Sequence, residues 1–478
     1  MTGDFSDISA RSWAIADGDP GLLSAVTVTG PAAVLPGHFD VTGLATGAVA
    51  AALLAAAEFL AARDGEPVRP VTVDSRAACA AFAGEGLFTP VGWSRPAVWD
   101  PIAGNYQAED GWIRLHTNYA YHRAAVERVL GADDRASVQA AVRGWQADDL
   151  ESAVVAAGGC AAAMHDRGTW LASPPGAASA GAPPLTVVTT PGSPAVSVAG
   201  SPAGSVAGSP GGSAAGSPAR VPFEGMRVLD LTRVIAGPVC TRFLAAYGAD
   251  VLRLDPPGFA EVPAILPEST AGKRTAALDL GTAAGRATFD SLVAGADVLV
   301  TGLRDGALTR LGYDDAALAA VNPGLVHASL NAYGWEGPWR ERRGFDSLVQ
   351  MSCGIAAAGA AAAGTDKPVP LPVQALDHAT GYLLAAGVGR ALTRRLAGAV
   401  VSRVRASLIG TANLLWSLPR PDGQPAMPRR EDIPLVDTMT AWGPARRVAL
   451  PGEISGVPAE LRFEAGPLGQ HEPAWRPR

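Results

Sequence analysis

MRVLDLTRVIAGPVCTRFLAAYGADVLRLDPPG, residues 226–258, reads as one complete β-turn-α-β unit in mid-chain. Residues 226–231 are a short apolar strand, and 232–238 form a turn containing Gly237 and Pro238. Residues 239–247 carry helical apolar spacing, Gly248 stops that helix, and 251–254 form a second strand. A strand, a helix and a parallel strand make an α/β crossover. Ligands of open parallel sheets settle at the carboxyl ends of strands, so the turn 232–237 is where a ligand is expected. The turn is neither a G-x-G-x-x-G fingerprint nor a P-loop, which would need a lysine.

Working outward, 478 residues suffice for two or three cores, and 48% hydrophobic content is ordinary for a globular chain. Aromatic residues make up only 6%, so alanine and glycine should let helices pack closely. A formal net charge of −7 argues against general nucleic-acid binding, which needs an excess of basic charge. The four cysteines, Cys79, Cys160, Cys240 and Cys353, are scattered without metal-ligand spacing and read as reduced thiols. The acidic, polar N-terminus is unlike a signal peptide, and the alanine-rich run 48–57, closed by Glu58, is short for a bilayer span. A cytoplasmic protein with no membrane partner and no metal is the expectation.

Residues 191–218 repeat PGSPAVSV, AGSPAGSV, AGSPGGSA and AGSP, small residues that cannot build a core. We take 174–221 as a linker between a first half, 1–173, and a second half, 222–478. Across that linker the halves echo one another. LATGAVAAALLAAAEFLAAR…VTVDSRAACAAF (44–82) parallels HATGYLLAAGVGRALTRR…VRASLIGTANLL (378–415): a helix, a break at Gly65 or Gly398, a strand and another helix. Gly43 then stands where Asp377 does.

Beyond 226–258, further motifs follow in order: KRTAALDL (273–280), ADVLVTGLRDGALTRLGY (296–313), NPGLVHASLNAYGWEGPW (322–339), RRGFDSLVQMSCGI (342–355) and QALDHATGYLLAAG (374–387). Together they resemble the family III CoA-transferases of the CaiB/BaiF type. The looser stretches 108–131, 144–164 and 167–170 resemble that family's smaller domain and return segment, which in the family follow the catalytic region. The resemblance implies an α/β fold in which a Rossmann-like parallel-sheet large domain, the second half, is joined to a smaller α+β domain supplied by the first. It also implies that the fused halves imitate an interlocked dimer, or else form a homodimer.

From local sequence alone Asp377, opening a helix, is a common N-cap. The resemblance instead makes it a nucleophile. In that family the aspartate attacks an acyl-CoA thioester to give a mixed anhydride, then an aspartyl-CoA thioester, and a carboxylic acid acceptor takes the CoA. An ionised carboxylate suits the work because its anhydride exchanges acyl groups without an energy input. Acyl-CoA and an acceptor acid are thus the implied partners, with no permanently bound cofactor. The oxyanion donors would come from a glycine loop, for which the turn around Gly104 is the nearest candidate. The same fold serves α-methylacyl-CoA racemases, which pair the aspartate with a histidine in a GHD turn. Here that turn is Gly344-Phe345-Asp346, and phenylalanine cannot accept a proton. A non-catalytic CoA-binding protein is the third reading.

By alignment Arg253, Arg310 and Arg343 fall where the family keeps basic CoA contacts, each otherwise a surface arginine. Val234, Ile235, Leu278 and Leu303 either line the adenine and pantetheine path or are core residues. Thr301-Gly302-Leu303 replaces the Glu-Asn-Phe of many relatives. His116, His122 and His165 lack metal spacing and read as ordinary surface or helix histidines. Ser352 and Cys353 form no nucleophile elbow.

Overall fold

The computed structural model describes residues 5–191, 221–398 and, apart from 399, 422, 424, 426, 429, 430 and 432, residues 400–477. Strands β1 (Val26–Thr29) and β2 (Val71–Asp74) pair in parallel, and the two-residue β3 (Thr89–Pro90) follows. Next come β4 (Gly104–Gln107), β5 (Trp112–Leu115) and β6 (Ala161–Ala163), which form a small antiparallel sheet covered by helices Ala120–Leu130, Arg135–Val142 and Ala147–Ala156. β7 (Leu185–Pro191) closes the first half.

The second half supplies β8 (Arg227–Leu231), β9 (Asp250–Asp255), β10 (Arg274–Ala277), β11 (Val298–Thr301), β12 (Val326–Asn331) and β13 (Val400–Ser407). They lie side by side in the order β10-β9-β8-β11-β12-β13-β7, parallel except for β7. The chain runs from β8 through β9 to one edge, then returns through β11 to the other. The crevice between β8 and β11 is therefore the topological switch point, where such sheets bind ligands. β14 (Leu435–Thr440) and β15 (Gly443–Val448) pair with each other and with β3, and β16 (Glu453–Ile454) adds to β2.

The helix-strand-helix echo is present in both halves. Helix Val41–Asp64 ends at Gly65 in the left-handed conformation, then β2 and helix Ser75–Phe82 follow. Helix Ala375–Ala397, β13 and helix Leu408–Ser417 repeat the order. The two long helices pack along one another. They come close enough at Gly389 that an added Cβ would lie 3.1 Å from the Ala55 Cβ, which explains the small residues. The apolar run does not end at Glu58: the helix continues to Asp64, because Glu58 pairs with Arg390 of its partner helix. By length and composition this helix could cross a membrane, but it is buried among the core residues and serves as a core helix.

The expected linker starts later than its composition suggests. Within 174–221, Pro174–Ser179 is helical and β7 pairs antiparallel with β13 from Leu185↔Ala406 to Pro191↔Val400. A β-branched run supplies the alternating pattern a sheet edge needs, which the surrounding proline and alanine hide. Residues 192–220, most of the period-eight repeat, lie outside the described residues.

The halves also exchange strands. β7 of the first half completes the sheet of the second, and β16 of the second completes the β1-β2 sheet of the first.

Candidate active site

The turn after β8 is held from beneath by a buried carboxylate. Asp230 accepts from the Thr232 backbone N–H at 2.9 Å, from the hydroxyls of Thr232 and Thr241, and from Lys273 Nζ at 3.0 Å. Asp230 and Lys273 are both sequestered from water, so the pair is satisfied only in this arrangement. The next residues are strained. Val234 has φ 66°, in the left-handed region that a β-branched residue avoids at a cost of about 1–3 kcal/mol. Its N–H donates to Glu261 Oε2 at 3.1 Å, and Glu261 also accepts from the Tyr119 hydroxyl at 2.5 Å and from Arg253 at 3.1 Å. Strain fixed by a hydrogen-bond network at a switch-point turn marks a place shaped for a ligand.

Asp377 lies in the first turn of helix Ala375–Ala397 and is 7% exposed. The N–H groups of Leu376 and Asp377 both donate to Asp346 Oδ2, at 2.8 and 3.0 Å. Asp346 is wholly buried and also accepts from the Gln350 amide, whose oxygen takes the Leu371 N–H at 2.8 Å. One buried carboxylate thus anchors the helix end that presents another. From the first half, Glu85 meets His378 Nε2 at 3.0 Å, and the His378 ring stacks on Phe82. Burial, then the charges of Asp346 and Glu85, hold the Asp377 carboxyl well above the usual carboxylate range. Burial raises Asp346 as well. Burial also opposes the charge of Glu85, but His378, a backbone hydrogen bond and Arg242 together more than offset it and keep Glu85 below its ordinary value.

Asp377 stands where two cavities meet. The first lies at the switch point and is lined by the 232–236 turn, by Gly302 and Leu303 after β11, and by five arginines, Arg233, Arg304, Arg340, Arg342 and Arg343. The Arg304 guanidinium makes no hydrogen bond or ion pair among the described residues, whereas Arg342 pairs with Glu151 at 2.8 Å. The second cavity, about 500 Å³, is lined mainly by apolar residues of both halves. Asp377, Val234, Ile235, Tyr119 and Phe345 border both.

Of the residues singled out in the sequence, Asp377, Val234, Ile235, Leu303 and Arg343 come together here. Arg253, Leu278 and Arg310 line neither cavity. Arg253 is fully buried behind the turn, paired with Asp255 at 2.8 Å and with Glu261, because a central parallel strand is covered on both faces and a charge there must be neutralised. Leu278 packs in the core among Leu254, Leu308 and Phe289. Arg310 is exposed, 3.9 Å from Glu341. Gly104 opens β4, opposite Leu115, and also lies outside both cavities.

His122 is a helix histidine as read, in Ala120–Leu130, but the surface reading requires a correction. His116 and His122 are buried, at 4% and 1% exposure, and border the cavities, whereas His165 pairs with Asp148. His116 stacks face to face on Phe345 with ring centroids 3.8 Å apart. Burial, then Arg114 and His122, push its pKa down to about 3, so it is neutral. Also missed were Tyr119, Glu85 and the arginines next to residues that were singled out. Their signal was adjacency: Arg233 precedes Val234, Arg304 follows Leu303, and Arg340 and Arg342 precede Arg343.

Residues 223–420 match the family described as CoA-transferase family III. The chain is 30% identical over 238 residues to the probable fatty acyl-CoA transferase Rv3272 of Mycobacterium tuberculosis, an alignment covering 44% of this chain and 60% of that protein. It is 34% identical over 178 residues to the acetyl-coenzyme A transferase nodX of Hypoxylon pulicicidum, covering 36% of this chain and 30% of that one. The crystal structure of Rv3272 in its orthorhombic form aligns with 42% of this chain and 57% of its own, at 32% identity and a TM-score of 0.39. The chain thus spans less than two thirds of the length of these relatives. It is through residues 223–420, which build the parallel strands of the large sheet and carry Asp377, that the chain is similar to CoA-transferase family III.

Proposed function

We propose that the protein moves CoA from an acyl-CoA to a carboxylic acid with Asp377 as nucleophile. The observation that carries this reading is the position of Asp377, a buried carboxylate at the meeting point of an arginine-rich cavity and an apolar one. CoA lies in the first cavity, its phosphates toward Arg304 and Arg343 and its pantetheine along Val234, Ile235 and Leu303. A carboxylate oxygen of Asp377 attacks the thioester carbonyl, the C–S bond breaks, and CoA thiolate leaves behind a mixed anhydride. The thiolate attacks the aspartyl carbonyl, giving an aspartyl-CoA thioester and releasing the donor as a carboxylate. The acceptor carboxylate then displaces the thiolate to form a second anhydride. Attack of the thiolate on the acceptor carbonyl yields the new acyl-CoA and frees Asp377.

Helix Ala236–Ala246 begins without a side-chain cap, and Ala236 borders the same cavity as Asp377. Its first N–H groups are our candidates for oxyanion donors. The reciprocal strand exchange supports an intrachain pseudo-dimer. Four buried free thiols fit a cytoplasmic setting.

The test is intact-mass spectrometry after mixing the protein with acyl-CoAs and trapping with hydroxylamine. A mass gain that maps to Asp377 is expected; CoA binding with no adduct from any donor would sink the reading. The stack of His116 on Phe345 gives the racemase reading its one support, since it brings a histidine ring to this turn. Loss of α-deuterium from a 2-methylacyl-CoA into water would favour it.

A second outcome concerns pH. The rate should rise with pH as Asp377 ionises, and the Asp346 charge is one cause of its raised pKa. Asp346→Asn should therefore move the acid limb of the kcat/KM profile to lower pH. A limb that stays put or moves up would show that Asp346 does not set the ionisation of Asp377.

A further inference from the structure

We infer that the second cavity is the acyl subsite and that it selects bulky, uncharged apolar acyl groups; this rests on the transferase reading above. Three observations carry it. The cavity opens on Asp377, so an acyl carbon attacked there has its substituent within reach. Its walls include Phe82, Leu87, Val98, Trp99, Val262 and Ile265, and its volume of about 500 Å³ falls in the range of sites that enclose whole small molecules. A formyl or acetyl group would leave most of that apolar surface facing water.

The charge distribution narrows the class further. Among the described residues no arginine or lysine lines this cavity, whereas five arginines line its neighbour. The ionisable groups on its wall besides Asp377 are Glu85, kept below its ordinary pKa by His378, the neutral His116, and Tyr119, whose hydroxyl is held by Glu261. A second carboxylate on the acyl group would thus meet Glu85 and Asp377 with no cation to pair it. A neutral aryl or alkyl chain meets only walls that gain from being covered.

The inference is tested by equilibrium binding of CoA, acetyl-CoA, octanoyl-CoA, benzoyl-CoA and succinyl-CoA to the full-length Asp377→Asn protein, which reads affinity without turnover. Octanoyl-CoA or benzoyl-CoA should bind at least about tenfold tighter than acetyl-CoA, the least that one well-buried methylene contributes in a fitted pocket. Whichever of the two prevails separates an alkyl from an aryl group. Succinyl-CoA should bind no tighter than acetyl-CoA. In Ala83→Trp and in Val98→Trp, two wall positions on different segments, the ratio of bulky to acetyl affinity should fall toward one. A flat acyl series, a preference for succinyl-CoA, or a ratio that survives both substitutions would overturn the inference while leaving the transferase reading intact. Failure to bind CoA itself would overturn both.

Discussion

Asp377→Asn is expected to lose CoA exchange by at least about 10³-fold, as removal of a covalent nucleophile does, and to melt at a higher temperature than the native protein at pH 7. An amide at this position keeps the shape of the side chain but can neither form an anhydride with the acyl group nor carry charge. The stability gain follows from linkage. The folded protein holds the Asp377 proton more tightly than the unfolded chain, whose aspartates titrate near 3.8, because burial, Asp346 and Glu85 all oppose the anion. With more protons bound in the folded state, stability falls as pH rises from about 3.8 through the raised folded value. Below that window both states are protonated and no penalty operates. The melting advantage of Asp377→Asn should therefore be present at pH 7 and vanish as the pH drops to the ordinary carboxylate range. Retained exchange would remove Asp377 from the chemistry, and a lower melting temperature at pH 7 would show that its charge is not strained in the fold.

Arg342→Met should cost about 3–5 kcal/mol of stability, the usual consequence of orphaning a buried ion. Arg342 has only 10% side-chain exposure and meets Glu151, at 6%, across 2.8 Å. It also donates to the Ala161 carbonyl at 3.1 Å and lies over the Trp339 ring, 3.7 Å from its centroid. These contacts tie the small antiparallel sheet to the turn before Asp346. Burial already lifts Glu151 above its ordinary pKa despite Arg342, so losing the arginine would drive that carboxyl further toward its protonated form. Glu151→Gln in the Arg342→Met background should recover much of the loss, since a neutral amide needs no counter-ion. The midpoints of the four proteins in a denaturant cycle decide the matter. A loss below about 0.5 kcal/mol for Arg342→Met, the scale of ordinary surface changes, would mean that the tie is inconsequential.

The sequence shows those parts of the fold that depend on local pattern. The unit 226–258 reads directly because its strands are continuous apolar runs and Gly248 follows its helix, and β8 and β9 lie where that reading puts them. The helix, however, spans 236–246 and so starts three residues earlier than read, taking Gly237 and Pro238 of the expected turn into its first turn, where proline is tolerated. The echo between 44–82 and 378–415 shows through shared Ala-Thr-Gly starts and glycine breaks. What could not be read locally is which faces meet. Arg253 looks like any arginine until β8 and β10 flank its strand and Glu261 arrives to neutralise it. His116 and His122 were weighed for metal spacing, which is a property of neighbours in sequence. Their environment is Phe345, more than two hundred residues away. Low aromatic and charged content around 174–191 masks β7, whose partner is equally remote.

The exchanged strands β7 and β16 have a consequence for how the chain is made. β7 leaves the ribosome long before β13 exists, so during synthesis its backbone donors and acceptors wait unpaired, while β1 and β2 in turn lack their third strand until β16 emerges hundreds of residues later. Neither half can close its sheet before a strand hundreds of residues downstream has been made. The nascent chain must carry two open edges while those later strands are made, a long exposure to wrong pairing with neighbouring chains. Once both strands are seated the situation reverses: each half is fastened by a piece of the other, and parting them requires two edges to be peeled away at once.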